Sequence, residues 1–525
     1  MSLGPLVRKE LLAHLLSRRL SLALIFAVIL GVLTTLVGSL EYSERVRDYE
    51  DAVRQQREAL SRVTVYGQLD LLLLFPPQPL SVLCRGISEA AGLTAGIWVA
   101  WRPFPPAPLG GYAGAGGDAM RTLVQVDFAA AVGLVLSFLA VALGFDGICG
   151  ERERGTLRQL LACPVPRGRI VLAKWIGGWL VLWLSLALAM GLGLVVLQAN
   201  PAVHFAAEDW VRLILLLGLS CAFLAQVHAF SLMVSVFTRR SSTALALCLF
   251  AWLTGGVGYA SVLPSLVRYG VREEPTYEEI WTRIEEISAR YLEDLAAWEA
   301  ANPAPPPAYL QVWEQDRRMR YGHPVGYAWR QRRNAHSQAL LLASVDERQA
   351  IWSAHLAPLA REARLVDAAA ILSPLTNYQV LACRLARTTV DDRLALQQVA
   401  EQRRRDFLAF LQERDAFADR RWLTDDPVDQ EPMIPHPEQV TPGMLMPDAP
   451  YLRERLQWAQ EQERRAADQT WRALDLAGIE RLTAGTYTPL ARTLSRMIPG
   501  LAVLVLTTGL ALVVTLWRFQ RYDPQ

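Results

Sequence analysis

Six stretches of the chain read as apolar runs that stand apart from the charged remainder: residues 20–40, 128–150, 175–197, 213–237, 241–263 and 497–517. Each approaches the roughly 20 apolar residues that a helix needs to cross a hydrocarbon layer about 30 Å thick, where every backbone polar group must be paired within the helix. The pattern therefore predicts six membrane-spanning helices, the second carrying Asp146 near its end. A seventh run, LDLLLLFPPQPLSVL from Leu69, contains Asp70 and three prolines, and reads as a buried or interfacial element instead of a span.

Between the spans the periodicity changes. Ile280, Ile284, Ile287, Tyr291, Leu295 and Trp298 recur every three or four residues among charges, which predicts an amphipathic helix. Similar patterns predict helices over Ser337 to Leu372, Asp391 to Trp422 and Pro450 to Leu482, with NPAPPPA breaking the chain after the first stripe. A polar helix over Glu41 to Arg62 continues the first span, and short strands are expected at Val63 to Tyr66 and Ile97 to Trp101. The predicted fold is mainly α: a six-span integral membrane protein with a large, mostly helical extracytoplasmic domain.

Charge supplies the orientation. Arg8, Lys9, Arg18 and Arg19, the basic residues from Arg152 to Lys174, Arg239 with Arg240, and Arg518 with Arg521 all fall on one side of a six-span topology. Positive residues in short loops mark the cytoplasmic face, so both termini are expected there. The first span reads as an anchor and not as a cleaved signal peptide. The expected organisation is a connecting helix at 1–19, a cytoplasmic loop at 151–174, a tail at 518–525, and extracytoplasmic segments at 41–127 and 264–496. The second is long enough to bury its own core.

Composition narrows the function. Lys9 and Lys174 are the two lysines among 53 basic residues, and neither follows a glycine-rich turn, so no phosphate-binding GxxxxGK[ST] motif is present and no ATPase activity is expected of this chain. HExxH, GxSxG and EF-hand patterns are absent too, so no catalytic residues are assigned. A net charge of +2 gives no reason to expect nucleic acid. Of six cysteines, Cys84 and Cys383 fall in the extracytoplasmic segments, where they either pair or remain buried thiols.

The most specific local pattern is GERERGTLRQLLACPVPRGR in the loop after the second span. Thr156 can cap a short helix, with Leu157, Leu160 and Leu161 on one face and Glu151, Arg152, Glu153 and Arg154 leading into it. Such a helix fits either a groove on a cytosolic partner or an interfacial linker. The stretch resembles the coupling-helix region of ABC exporter permeases of the second exporter class, in which ExExGT(L/M)xxLL is followed by Pro and Arg before the third span. The amphipathic run Leu3 to Arg18 is similar to the connecting helix of that family. The blocks FPPQPLSVLCRGISEAAG and ILSPLTNYQVLACRLARTTVDDR look like those of its branch of permease components involved in multi-copper enzyme maturation and gliding motility.

The resemblance implies a permease subunit of the bacterial cytoplasmic membrane that works as a homodimer or heterodimer. It also implies two ABC ATPase subunits that bind the ATP and Mg, with export or mechanical work on an extracytoplasmic protein as output. The family's better-known members have small external parts, whereas this chain places 264–496 between its fifth and sixth spans. An ATP-independent receptor or scaffold is the competing reading. Glycines at 133, 144, 147, 150, 255, 256 and 258 allow close helix approach in the second and fifth spans, which the resemblance places at the dimer interface and pathway. Gln226 and His228 form a candidate intramembrane polar site, or else interhelical hydrogen bonds. Met433, His436, Met444 and Met446 offer soft ligands suited to Cu(I), or adaptable apolar anchors; no metal is expected in the chain.

Overall fold

A computed structural model describes residues 3–86, 94–98, 127–162, 165–270, 277–310, 313–315, 317–320, 324–426, 457, 461, 464, 474–483, 485 and 487–521. The protein is mainly α-helical, with six helices long and apolar enough to cross a membrane. An amphipathic helix α1 (Leu3–Leu15) precedes α2 (Arg18–Ser61), whose 44 residues span about 66 Å. That is roughly twice a hydrocarbon layer. The apolar half of α2 belongs to the bundle, and its charged half, 41–61, continues unbroken as a post beyond it. The second span, α3, runs through Phe128–Ala131, a π turn at Val132–Leu136 and Ser137–Gly144.

After a bend come two short helices, α4 (Cys149–Glu153) and α5 (Thr156–Ala162). The third and fourth spans are α6 (Arg167–Ala199) and α7 (Ala207–Phe237). The fifth, α8, runs from Ser241–Ala251 through a π turn at Trp252–Gly258 into Tyr259–Gly270. The last, α15 (Leu490–Gln520), ends beside α5 and α6: Arg167 Nη1 donates to the Gln520 carbonyl at 2.7 Å. That end, which also holds α1, is here the proximal end; the other is the distal end.

Helix α7 is the hub of the bundle, packed against α3, α6, α15 and a helix at Pro374–Ala386. Its buried face carries Leu213, Leu216, Leu219, Phe223 and Leu224. By contrast α8 lies on the outside: 11% of its most apolar stretch is buried, against 67% for α3. Glycines in both spans were expected to allow close helix approach. Within the chain Gly133 receives Leu375, Gly144 receives Ser231 and His228, and Gly256 receives Leu375, while a Cβ on Gly255 would meet nothing within 4 Å.

The distal domain is built on the α2 post from both distal segments. Its helices are α9 (Tyr277–Ala301), α10 (Pro324–Ala343), α11 (Val345–Ala370), α12 (Pro374–Ala386), α13 (Val390–Glu413) and α14 (Glu480–Thr483). One hydrophobic cluster joins Val63, Leu69, Leu71 and Ile97 of the first segment to Val345, Phe407, Leu411, Trp422 and Ile479 of the second. Burial of these side chains makes one body of segments that are far apart in sequence.

Two antiparallel ribbons complete the domain, β1 (Asp70–Leu74) with β2 (Thr94–Trp98), and β3 (Trp313–Gln315) with β4 (Arg318–Arg320). The expected strand at 63–66 is not formed; Tyr66–Gln68 is a 3-10 turn and the strand starts at Asp70. The leucine run supplies the pleat, with Leu71 and Leu73 buried on the face that Phe75 extends, while Pro76, Pro77 and Pro79 end it. The expected helix from Ser337 to Leu372 is two helices that meet at Ser344, and the one from Asp391 ends at Glu413, just before Asp415 takes a left-handed backbone. Of Pro450 to Leu482, most lies outside the described residues.

The stripe on α9 turns inward. Ile280, Ile284 and Ile287 pack with Ile351 of α11, and Tyr291 hydrogen-bonds Ser337 of α10 at 2.8 Å, so these side chains are consumed by the domain itself. Truncating the fully buried Phe407 leaves a cavity in the cluster that joins the two distal segments. We expect Phe407→Ala to destabilise the distal domain by about 3–5 kcal/mol. Thermal unfolding followed by tryptophan fluorescence should show an early distal transition, with the bundle transition unchanged.

Candidate functional site

At the proximal end, α1 lies across α6 because Gly177 has no side chain: a Cβ there would stand 2.8 Å from the Glu10 Cβ. This approach brings Glu10 to Lys174, whose Nζ is 3.3 Å from Glu10 Oε1 and 2.6 Å from Glu151 Oε1. Lys174 is 5% exposed, so its ammonium is withdrawn from water and held between two carboxylates from two other elements. Such a group is tolerated only when paired, since unpaired burial costs several kcal/mol. Burial pushes the His14 imidazole, one turn along α1, below its ordinary pKa.

Glu151 thus faces inward, as a strut between α4 and α6. Its neighbours extend the bracing: Arg152 Nη1 donates to the Thr238 carbonyl at 2.9 Å, and Ser241 donates to Glu153 Oε2 through its hydroxyl at 2.6 Å. The Ser235 hydroxyl accepts from the backbone N–H groups of Ile148 and Cys149, both at 3.0 Å. The connection from the second span is therefore fixed to α6, α7 and the start of α8. Neither Glu10 nor Lys174 was assigned to a site from the sequence, although Lys174 stood out there as one of only two lysines.

Helix α5 lies on this base with its leucines down. Leu157 is buried with Ile148, Ile170, Val171, Leu232, Val236 and Phe519, and Leu160 and Leu161 flank the same cluster. The sequence reading offered these leucines to a partner groove or to an interfacial linker; in the fold Leu157 is buried in the bundle and the half-buried Leu160 and Leu161 pack at its edge, because the same stripe covers the proximal apolar ends of α6, α7 and α15. Arg154, Thr156, Arg158, Gln159 and Ala162 form the exposed face of the loop instead. Thr156 donates its hydroxyl to the Glu151 carbonyl at 3.3 Å, closing the α4 to α5 turn around Gly155, which has a left-handed φ of +74°.

Within the bundle, Gln226 and His228 do not share a cavity. Gln226 Nε2 donates to Thr507 Oγ1 of α15 at 2.6 Å, while His228 Nδ1 lies 3.3 Å from the Ala140 carbonyl of α3. A Cβ on Gly178 would come within 2.4 Å of the His228 ring, so that glycine makes room for the imidazole. Both side chains join helices. Met433, His436, Met444 and Met446 lie outside the described residues. Among the described residues, no cluster of His, Cys, Asp and Glu is placed to hold a metal ion.

A family model described as "ABC-2 family transporter protein" matches residues 5–268, which run from α1 to the end of α8 and cover just over half of the chain. The chain belongs to the ABC-2 transporter family. Curated relatives include two proteins called "Probable ABC transporter permease protein NosY". The one from Pseudomonas aeruginosa is 33% identical over 135 residues, 25% of this chain and 48% of that protein. The one from Stutzerimonas stutzeri is 40% identical over 57 residues, 11% of this chain and 21% of that protein. The chain thus matches less than half the length of either relative. Membership, with six helices of spanning length, makes it a multi-pass membrane permease of the ABC-2 transporter family.

In this ABC-2 permease the ammonium clamp is open to test. Lys174→Met removes one partner of a buried ionic group and should cost about 3–5 kcal/mol, releasing α1 to proteolysis. Adding Glu10→Gln and Glu151→Gln removes the stranded carboxylates and should restore most of the melting temperature. Equal melting temperatures for the wild type and Lys174→Met would show that the clamp contributes nothing.

Proposed function

We propose that the chain is the membrane subunit that converts nucleotide turnover in a separate ATPase into movement of the spans and of the distal domain. The observation that carries this reading is the bracing of the α4 to α5 loop by Lys174, Glu10 and Glu151. A loop tied to three spans and to α1 transmits a push; a slack linker would absorb it. In this reading the proximal end is cytoplasmic, in agreement with the positive residues gathered there. Glu151, Arg152 and Glu153 brace the loop, Leu157, Leu160 and Leu161 seat it, and Arg154, Arg158 and Gln159 meet the ATPase.

Two copies of the permease and two ATPases complete the transporter, as a homodimer or with a second permease. The apolar face of α8, with Leu247, Phe250 and Leu253 exposed, is the dimer surface this reading favours, because α3 is already covered within the chain. The distal domain stands on the continuous post of α2, so tilting α2 moves it as a lever. That geometry supports mechanical work on an extracytoplasmic protein over simple passage of a small cargo. The curated relatives' printed name, a permease, agrees with either output.

Arg158→Glu reverses a charge on the exposed face without touching the packed one. It should weaken co-purification of the ATPase about tenfold, equivalent to about 1.4 kcal/mol, while insertion and melting temperature stay at wild-type values. Leu157→Ala should instead lower the melting temperature of the permease alone. Wild-type ATPase stoichiometry for Arg158→Glu combined with Gln159→Glu would remove the assigned docking face and favour the receptor reading.

A further inference from the structure

At the distal end, helix α12 enters the bundle as a wedge between α3, α7, α8 and α15. Ser373 caps its first turn by accepting the Thr376 N–H. Tyr378 is fully buried, stacked on Phe223 with ring centroids 4.5 Å apart and hydrogen-bonded to the Ser220 hydroxyl at 3.0 Å. One turn further on, Cys383 projects towards the segment that leads from β1 into the second span. Its Sγ lies 3.1 Å from the Sγ of Cys84, although 299 residues separate the two in sequence.

The backbones around this pair are held independently of the sulfurs. The Leu83 carbonyl accepts from the Ala129 N–H at 3.0 Å, and the Arg85 N–H donates to Asp127 Oδ2 at 2.9 Å, which fixes the segment around Cys84 to the start of α3. On the other side the Cys383 carbonyl accepts from the Thr388 N–H at 2.9 Å. Gly86, with a left-handed φ of +52°, lies so close to Thr388 that an added Cβ would meet its carbonyl oxygen at 2.4 Å. Arg387 reaches back to Gln78 Oε1 at 2.7 Å. A disulfide needs sulfurs about 2.05 Å apart, so closure by about 1 Å completes a bond that the surroundings already align.

We propose that Cys84 and Cys383 are a disulfide site that fastens the α12 wedge to the entrance of the second span. The proposal rests on the reading above in one respect, that the distal end faces the oxidising compartment. The chemistry is thiol–disulfide exchange with an external disulfide oxidant, either a protein or a small molecule. Cys383, the more exposed of the two, attacks as thiolate and displaces one oxidant thiolate, giving a mixed disulfide. Cys84 then loses its proton and attacks the Cys383 sulfur, expelling the second oxidant thiolate. The two cysteines lose two protons and two electrons, and the oxidant's disulfide is reduced to two thiol groups, on one molecule for a protein oxidant and on two for glutathione. The order follows from Cys84 itself, whose thiol is pushed well above its ordinary pKa by the bond to Cys383 and by burial, and so makes the poorer first nucleophile.

The test uses full-length protein purified without reductant and then incubated with oxidised glutathione, followed by alkylation in denaturant and peptide mass spectrometry. A peptide linking Cys84 to Cys383 is expected, lost in Cys383→Ala. Reduction should lower the melting temperature by roughly 10 °C in the wild type and leave the Cys84→Ala, Cys383→Ala protein unchanged. Complete alkylation of both thiols after glutathione treatment would overturn the site, whichever way the protein faces. An added Leu292→Cys, on an exposed position of α9, reports the side by labelling in intact cells. Labelling only from the cytoplasm would refute the topology, and the glutathione experiment would still decide the bond.

Discussion

The ammonium of Lys174 is held out of water at the point where α1, the loop after the second span and the third span converge, and that constraint fixes the geometry of the proximal end. A buried cation must be met by carboxylates at short range, so Glu10 and Glu151 have no freedom to leave without stranding it. Glu151 sets the start of the α4 to α5 turn, and the turn in turn sets which face of α5 is presented. Gly177 is the steric condition for the arrangement, since any side chain there would hold α1 away from α6. Charge and packing together specify one position for the loop.

The distal end uses the opposite strategy, a wedge and a collar instead of a single clamp. Arg212 is fully buried on α7 and donates to Glu208, to the Leu385 carbonyl at 3.1 Å and to the Thr488 carbonyl at 3.2 Å. One guanidinium therefore joins α7 to the C-terminal turn of α12 and to the residues that lead into α15. Arg387, forced into a left-handed backbone at the end of α12, adds bonds to Gln78 and Glu208. Arginine suits this role because its planar fork satisfies several carbonyl and carboxylate acceptors at once. Since α7 packs against both α6 and α15, the clamp and the collar act on the same rigid hub.

The six spans were legible because lipid leaves the backbone no alternative to long apolar helices, and the apolar runs follow directly. The polar continuation of the first span was legible for a different reason, as a helix-forming stretch with no Gly or Pro to break it. The direction of α5 was not, because an amphipathic stripe states that one face is buried but not what buries it; Leu157 packs on Phe519, more than 350 residues later. The α9 stripe carried the same ambiguity and resolved inward. The strand at Asp70 was obscured by leucine, a residue with no strong strand preference, whereas Val63 and Val65 are buried without any ladder partner. Lys174 went unremarked as a site because its two carboxylates come from elements 23 and 164 residues away in sequence.

The central claim is that the proximal loop moves as one body with the third span. Spin labels at Arg158 and at Trp183, an exposed position on α6, report that directly when their separation is measured by pulsed electron resonance in the complete complex, with and without trapped nucleotide. The account predicts a narrow distance distribution that is unchanged by nucleotide in the wild type and broadens in Lys174→Met. A nucleotide-dependent shift between these two sites in the wild-type protein would contradict it.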